Sequence, residues 1–326
     1  MQQMTAPPDA RPVAPARWPW PAALQASVGL HVAAGVAAAA VPGAAPWALG
    51  AVLANHALLT AAGLWPRSTW LGPNVTRLPA AAAARGGLAI TIDDGPDPEV
   101  TPQVLDLLAA AGARATFFCI GQRVREHPAL VRRIVAAGHS VQNHSLHHRH
   151  HFSLSGPKAL AREIGDAQAV LADVTGVWPH CFRAPAGLRN PLLDPVLHHL
   201  GLHLVSWTRR GYDTREADAE RVGARLLRGL AAGDILLLHD GHARRSARGQ
   251  PVLLQVLPGL LQRLRQQGLH TVTLGDALPP RHALAPVSSA SPLPAPARSP
   301  APSPARSPGT APATAPAPTT TPGGPP

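Results

Sequence analysis

Between residues 86 and 275 the chain alternates short apolar runs with segments whose apolar residues recur at helical spacing. The runs at 88–92, 114–119, 139–143, 180–184, 202–207, 234–239 and 269–273 read as strands, each bounded by turn residues. Helical segments lie between them. In one, Val104, Leu105, Leu107 and Leu108 form an apolar face that stops at Gly112. Seven β/α units in a row imply a parallel sheet, here closed toward an α/β barrel, with its chemistry at the C-terminal edge of the strands.

The pattern ahead of residue 67 is different. Two Ala/Leu/Val-rich stretches, Pro21 to Val41 and Pro46 to Leu64, carry no formal charge and are each close to the length that crosses a bilayer. Pro42-Gly43 supplies a turn, so residues 18–66 read as a transmembrane helical hairpin. Gln25, His31, Asn55 and His56 lower its hydropathy. A cleaved signal peptide is the rival reading, with Arg17, an apolar run and small residues at Gly43 to Ala45; the second apolar stretch argues against it. Residues 1–17 form a polar, proline-rich arm. Residues 285–326, rich in Pro, Ala, Ser and Thr, lack the large apolar side chains that would offset ordering entropy, and are expected to be a disordered tail.

At 326 residues there is room for one sizeable catalytic domain, placed at 67–284 with its core at 86–275. The net charge of +11 comes almost wholly from arginine, Lys158 being the one lysine. That charge suits anionic headgroups or acidic glycans. Nucleic acid is not expected, because no aromatic-basic interleaving accompanies it. Cys119 and Cys181 both fall on apolar strands and read as small buried hydrophobes.

The chemistry starts at Thr91-Ile92-Asp93-Asp94-Gly95-Pro96, where a strand ends in two carboxylates. Neighbouring side chains on an extended strand diverge, so one aspartate can ligate a metal while the other handles a proton. The plainer reading has both merely capping the helix that begins near Pro98. Downstream, His144 and His148 are four residues apart and can converge on one cation if their segment coils into a helical turn; with one aspartate they leave room for water. His147, His150 and His151 crowd the same loop, and a histidine-rich loop can also bind metal loosely.

Thr91 to Pro96, His144 to His148, Arg183-Ala184-Pro185-Ala186-Gly187 and Leu237-Leu238-His239, in that order, resemble the polysaccharide deacetylase family, also called the NodB homology family or carbohydrate esterase family 4. The resemblance implies an irregular (β/α)7 TIM-like barrel. It implies a divalent metal held by Asp94, His144 and His148, zinc first with cobalt or nickel as alternatives. It makes Asp93 the base, Arg183 the residue that orients it, His239 the general acid and Asp213 the carboxylate that raises the acid's pKa; an N-cap for the helix from Arg215 is the alternative for Asp213. Pro185, the N–H of Ala186, Leu237 and Trp207 would line the oxyanion and acetyl pocket.

Two positions depart from the pattern: Ala186 stands where relatives carry tyrosine, and Thr214 replaces a second tryptophan, which weakens the grip on a long glycan. The implied activity is hydrolysis of acetyl groups from N-acetylated sugars, whether polysaccharide, oligosaccharide or lipid-linked. The alternatives are a catalytically impaired carbohydrate-binding relative and a membrane-tethered interaction protein. The expected place is the cell inner membrane. Arg11, Arg17, Arg67, Arg77 and Arg85 favour the cytoplasmic side for both hairpin ends, whereas an envelope polymer needs the other side.

Overall fold

The computed structural model describes residues 17–281; the expected tail and all but the last residue of the N-terminal arm lie outside them. Eight strands form one parallel sheet: β1 Gly87–Asp93, β2 Ala115–Cys119, β3 Ser140–Asn143, β4 Cys181–Phe182, β5 His203–Leu204, β6 Arg209–Arg210, β7 Ile235–His239 and β8 His270–Thr271. The order is β5-β4-β3-β2-β1-β7-β6, with β8 paired to the start of β1. The fold is therefore an α/β half-barrel of curled parallel strands. Its open side, between β5 and β6, is spanned by residues 75–78, which hydrogen-bond to Leu204 and Ser206 on one flank and Gly233 on the other.

Strand alternation decides which side chains face which way. Leu88, Ile90 and Ile92 of β1, Phe117 and Cys119 of β2, and Leu236 and Leu238 of β7 enter the core between sheet and helices, where they meet Val104, Leu105, Val131, Val222 and Val252. The opposite parity, Ala89, Phe118, Ile235 and Leu237, fills the barrel interior with Val205 and Trp207. Asp93 and His239 share that inward parity at the ends of β1 and β7, and they are register partners across the ladder. Both cysteines are buried and unpaired, as small core hydrophobes.

The helices are α1 Ala22–Ala40, α2 Ala45–Leu64, α3 Ala80–Ala83, α4 Val100–Ala110, α5 Gly121–Glu126, α6 Pro128–Ala136, α7 Pro157–Thr175, α8 Leu193–His199, α9 Ala219–Leu227, α10 Val252–Gln266 and α11 Leu274–Ala277. The amphipathic face expected around Leu105 packs as read, with Val104, Leu105 and Leu108 buried. The expected strands at 180–184 and 202–207 each shrink to two residues, Cys181–Phe182 and His203–Leu204. β6 has no apolar alternation and was not expected.

α1 and α2 form the expected hairpin and are long and apolar enough to cross a bilayer by length and composition. Their polar residues face one another. Asn55 Nδ2 donates to Ser27 Oγ at 2.8 Å, and the His31 and His56 Nε2 atoms lie 3.2 Å apart. Val28, Val32, Val36, Leu49, Leu53 and Leu58 point outward, exposed. The pair of Ser27 and Asn55 sits between the helices' partly buried faces, while the exposed valines and leucines lie on the outside.

Candidate active site

Asp93 ends β1 with its carboxylate buried, and Asp94 follows in the left-handed region at φ 74°. The change of backbone sends the two carboxylates apart. Neither caps α4: Asp97 does, its Oδ1 accepting from the N–H groups of Glu99 and Val100, both at 2.9 Å.

Asp94, His144 and His148 each bring one ligand atom into a group whose members lie within 4.8 Å of one another. Asp94 Oδ1 is 3.2 Å from Nε2 of both histidines, and it is buried with no hydrogen-bond partner among the described residues. The expected helical turn is not what brings the imidazoles together. Residues 144–148 are irregular, with Ser145 at φ 65° and His148 at φ 52°. Backbone of this kind in non-glycine residues is costly and is held by its surroundings. Here Asn143 Oδ1 accepts from Ser145 N–H and Ser145 Oγ from His148 N–H.

The donor set fits a cation. His144 Nδ1 lies 2.8 Å from the carbonyl of Arg183, which can only accept, so the proton sits on Nδ1 and the Nε2 lone pair faces Asp94. Burial opposes charge on His144, yet the Asp93 and Asp94 carboxylates hold its pKa raised: the pocket attracts positive charge. Burial and the neighbouring His144 lower His148 to about 4, leaving a neutral imidazole available as a ligand. Burial alone would raise Asp94, but His144 and His242 at its oxygens hold it well below the ordinary carboxylate range.

Arg183 is one of the largest fully buried side chains. Its Nη1 donates to Asp93 Oδ1 at 2.6 Å and to Thr91 Oγ1 at 2.7 Å, Nε to the Val205 carbonyl and Nη2 to the Ser206 carbonyl. The Phe118 ring lies beneath it, 4.1 Å from Cζ. The rigid fork is thus held at every nitrogen and fixes one oxygen of Asp93. The other oxygen is 3.8 Å from His144 Nε2.

Across the ladder, Asp213 is fully buried and grips His239 twice. Its Oδ1 lies 2.9 Å from Nδ1 and its Oδ2 accepts from the backbone N–H at 2.7 Å. The N-cap alternative for Asp213 fails, because Asp218 caps α9. Burial would lower the His239 pKa, but Asp213, with Asp94 and Asp93 beyond it, outweighs burial and raises it to about 9.

Pro185, Ala186 and Gly187 make a single turn after β4, with Pro185 buried and Ala186 exposed at φ 55°. Leu237 and Trp207 are buried in the floor below. His147 turns away to Glu163, Nδ1 to Oε2 at 3.0 Å, and His150 and His151 are exposed. Two residues of this neighbourhood escaped the sequence reading. His242 Nδ1 hydrogen-bonds Asp94 Oδ2 at 2.8 Å. Asp240, fully buried and accepting from Thr101 Oγ1 at 2.5 Å, is raised to about 7 by burial, which its hydrogen bond does not offset. Their only signal was position, just past the strand that ends in His239.

A carboxylate and two imidazoles gathered at one point, a carboxylate fixed beside them and a charged imidazole opposite define an acid–base hydrolytic class of site. The polysaccharide deacetylase family profile matches residues 81–205. The peptidoglycan-N-acetylglucosamine deacetylase of Bacillus cereus is 34% identical over 219 residues, 66% of this chain and 94% of that one. The chitooligosaccharide deacetylase of Azorhizobium caulinodans is 34% identical over 158 residues, 48% of this chain and 75% of that one. A family 4 carbohydrate esterase from Streptomyces lividans, solved with acetate, superposes at a TM-score of 0.53 with 32% identity, covering 62% of this chain and 98% of that one. The chain belongs to the polysaccharide deacetylase family, a family of hydrolases.

Proposed function

We propose that the protein removes acetyl groups from N-acetylated sugars, using Asp94, His144 and His148 to hold a divalent metal, zinc first. The observation that carries this reading is that one mouth gathers those three ligand atoms between an arginine-held Asp93 and an aspartate-held His239. A cation bound there would polarise the acetyl carbonyl and acidify water. Asp93, its second oxygen left free by Arg183, accepts the proton of the attacking water. The N–H of Ala186 donates to the oxyanion of the tetrahedral intermediate. His239, kept protonated by Asp213, gives its Nε2 proton to the nitrogen of the departing amine as the carbon–nitrogen bond breaks. Acetate and a free amine result.

The test is acetate release by the full chain from N-acetylated glycans, with zinc, cobalt or nickel supplied. Release that needs a metal and is lost on Asp93→Asn supports the reading; absence of release from every glycan opposes it. A purely carbohydrate-binding role has less support, since it needs neither the Arg183–Asp93 pair nor the Asp213–His239 pair.

The second part of the proposal is that α1 and α2 anchor the enzyme in the cell membrane, both ends on one side. At 19 and 20 residues each helix spans about 30 Å at ~1.5 Å per residue, the thickness of the hydrocarbon layer. Exposed Trp20, Trp65 and Trp70 sit at the base and Trp47 near the tip, where aromatic residues mark the two interfaces.

A further inference from the structure

The hairpin does not hang from the domain on a free linker. The end of α2 and the residues after it are packed into the rim of the mouth. Arg189 N–H donates to the Gly63 carbonyl at 3.1 Å, and a Cβ at Gly63 would run into the Arg189 carbonyl, so the approach requires glycine. The Arg189 guanidinium hydrogen-bonds the Ser68 carbonyl. Ser206 Oγ donates to the Pro66 carbonyl at 2.6 Å, and Arg67 Nη1 reaches the Thr208 carbonyl. Pro66 and Trp207 both close on Gly187, leaving no room for a side chain there, one residue from Ala186.

The other leg is fastened to the same region. Trp18 Nε1 donates to Asp194 Oδ2 at 2.7 Å, and His198 Nε2 lies 3.0 Å from the Arg17 carbonyl; both partners belong to α8, the helix following that rim. Between the legs an open cleft of about 680 Å³ is lined by Pro19, Pro21 and Ala23 on one side and Thr69, Trp70 and Pro73 on the other. None of these residues is charged. Ala22 and Ala23 are the first two residues of α1, so the cleft lies at the foot of the hairpin, and its volume lies in the range of sites for small organic ligands.

On the anchor reading, this clamp holds the catalytic rim next to the bilayer, with the uncharged cleft at the foot of the hairpin beside the clamp. Resting on the deacetylase and anchor readings above, we propose that the substrate is an N-acetylated sugar carried on a membrane lipid, whose hydrocarbon chain lies in the cleft at the base of the hairpin while the sugar enters the mouth. Chain and sugar are then held together by one rigid junction, so the lipid contributes binding energy to the reaction of the sugar.

The experiment uses the full chain in phosphatidylcholine vesicles with two probes of one head group, the hexadecyl and the methyl glycoside of N,N′-diacetylchitobiose, read by acetate release. The expected result is a kcat/KM at least tenfold higher for the hexadecyl glycoside. Ala23→Trp, which fills the cleft, should bring it down to the methyl value and leave the methyl glycoside unchanged. A flexible Gly/Ser insert of about twelve residues between Leu64 and Trp65 should do the same by freeing the mouth from the surface; the methyl rate reports that both variants are folded. Equal rates on the two probes, or a hexadecyl preference that survives Ala23→Trp, would overturn the proposal while leaving deacetylation established. Failure to release acetate from either probe would overturn the deacetylase reading itself.

Discussion

Asp213 and Arg183 are both buried and each holds another side chain, Asp213 the imidazole of His239 and Arg183 one oxygen of Asp93. For His239 the consequence is a pH dependence whose sign can be worked out. Its folded pKa is raised to about 9, so the imidazole is protonated below that value and neutral above it, and in the proposed mechanism the general acid is lost with the proton. In the Asp213→Asn variant the support disappears, and the basic limb of the kcat profile should move to lower pH, measured by acetate release. Arg183→Lys keeps a charge but not the fork, leaving Thr91, Asp93 and two carbonyls short of donors; we expect destabilisation of about 3–5 kcal/mol by denaturant titration, the scale for breaking a buried ion pair. Among the histidines, His144→Ala and His148→Ala should each abolish stoichiometric metal binding, whereas His147→Ala, whose imidazole faces Glu163, should leave it intact by elemental analysis. Sequence order made Asp93, Asp94 and His239 legible because they terminate strands, where side chains emerge at a barrel's open end. His242 and Asp240 were not legible, since their partners, Asp94 and Thr101, are more than a hundred residues away and meet them only through the pairing of β1 with β7.

At the level of elements, β1, β2 and β7 were readable as strands because these central strands are long enough to give a clear apolar run. Ile235-Leu236-Leu237-Leu238 is apolar throughout because both of its faces are buried, one against helices and one inside the barrel. Leu238→Ala on the helix side should therefore cost about 2–5 kcal/mol of stability with the site geometry retained. The short strands β4, β5 and β6 carry two ladder residues apiece, too few for a periodic signal. The path by which His144 and His148 meet was open in the sequence, a helical turn being one condition for it: the left-handed residues are a serine and a histidine, and nothing in their identity announces that backbone, which side-chain hydrogen bonds from Asn143 and Ser145 impose. In the hairpin, polarity counted residue by residue obscured the pairing across the helices of Ser27 with Asn55 and of His31 with His56.

For the molecule as a whole, the site sets a balance between stability and function. A histidine held above its unfolded pKa contributes stability that is complete below about 6.5 and is lost as pH rises through about 9. Asp240, raised to about 7, acts in the same direction at lower pH, its contribution fading between about 4 and 7. Metal-free protein should accordingly lose denaturant resistance between pH 6.5 and 9, and His239→Gln should remove that part of the slope. The proposed mechanism turns on a separation of roles between two adjacent aspartates, Asp94 for the ligand group and Asp93 for the proton. The measurement that tests this most directly is metal content and acetate release in the Asp93→Asn variant, taken on the same preparation. The account predicts a full complement of metal with turnover reduced by about a thousandfold or more, in line with loss of a catalytic base together with its orientation; retained turnover, or loss of the metal along with the activity, would contradict it.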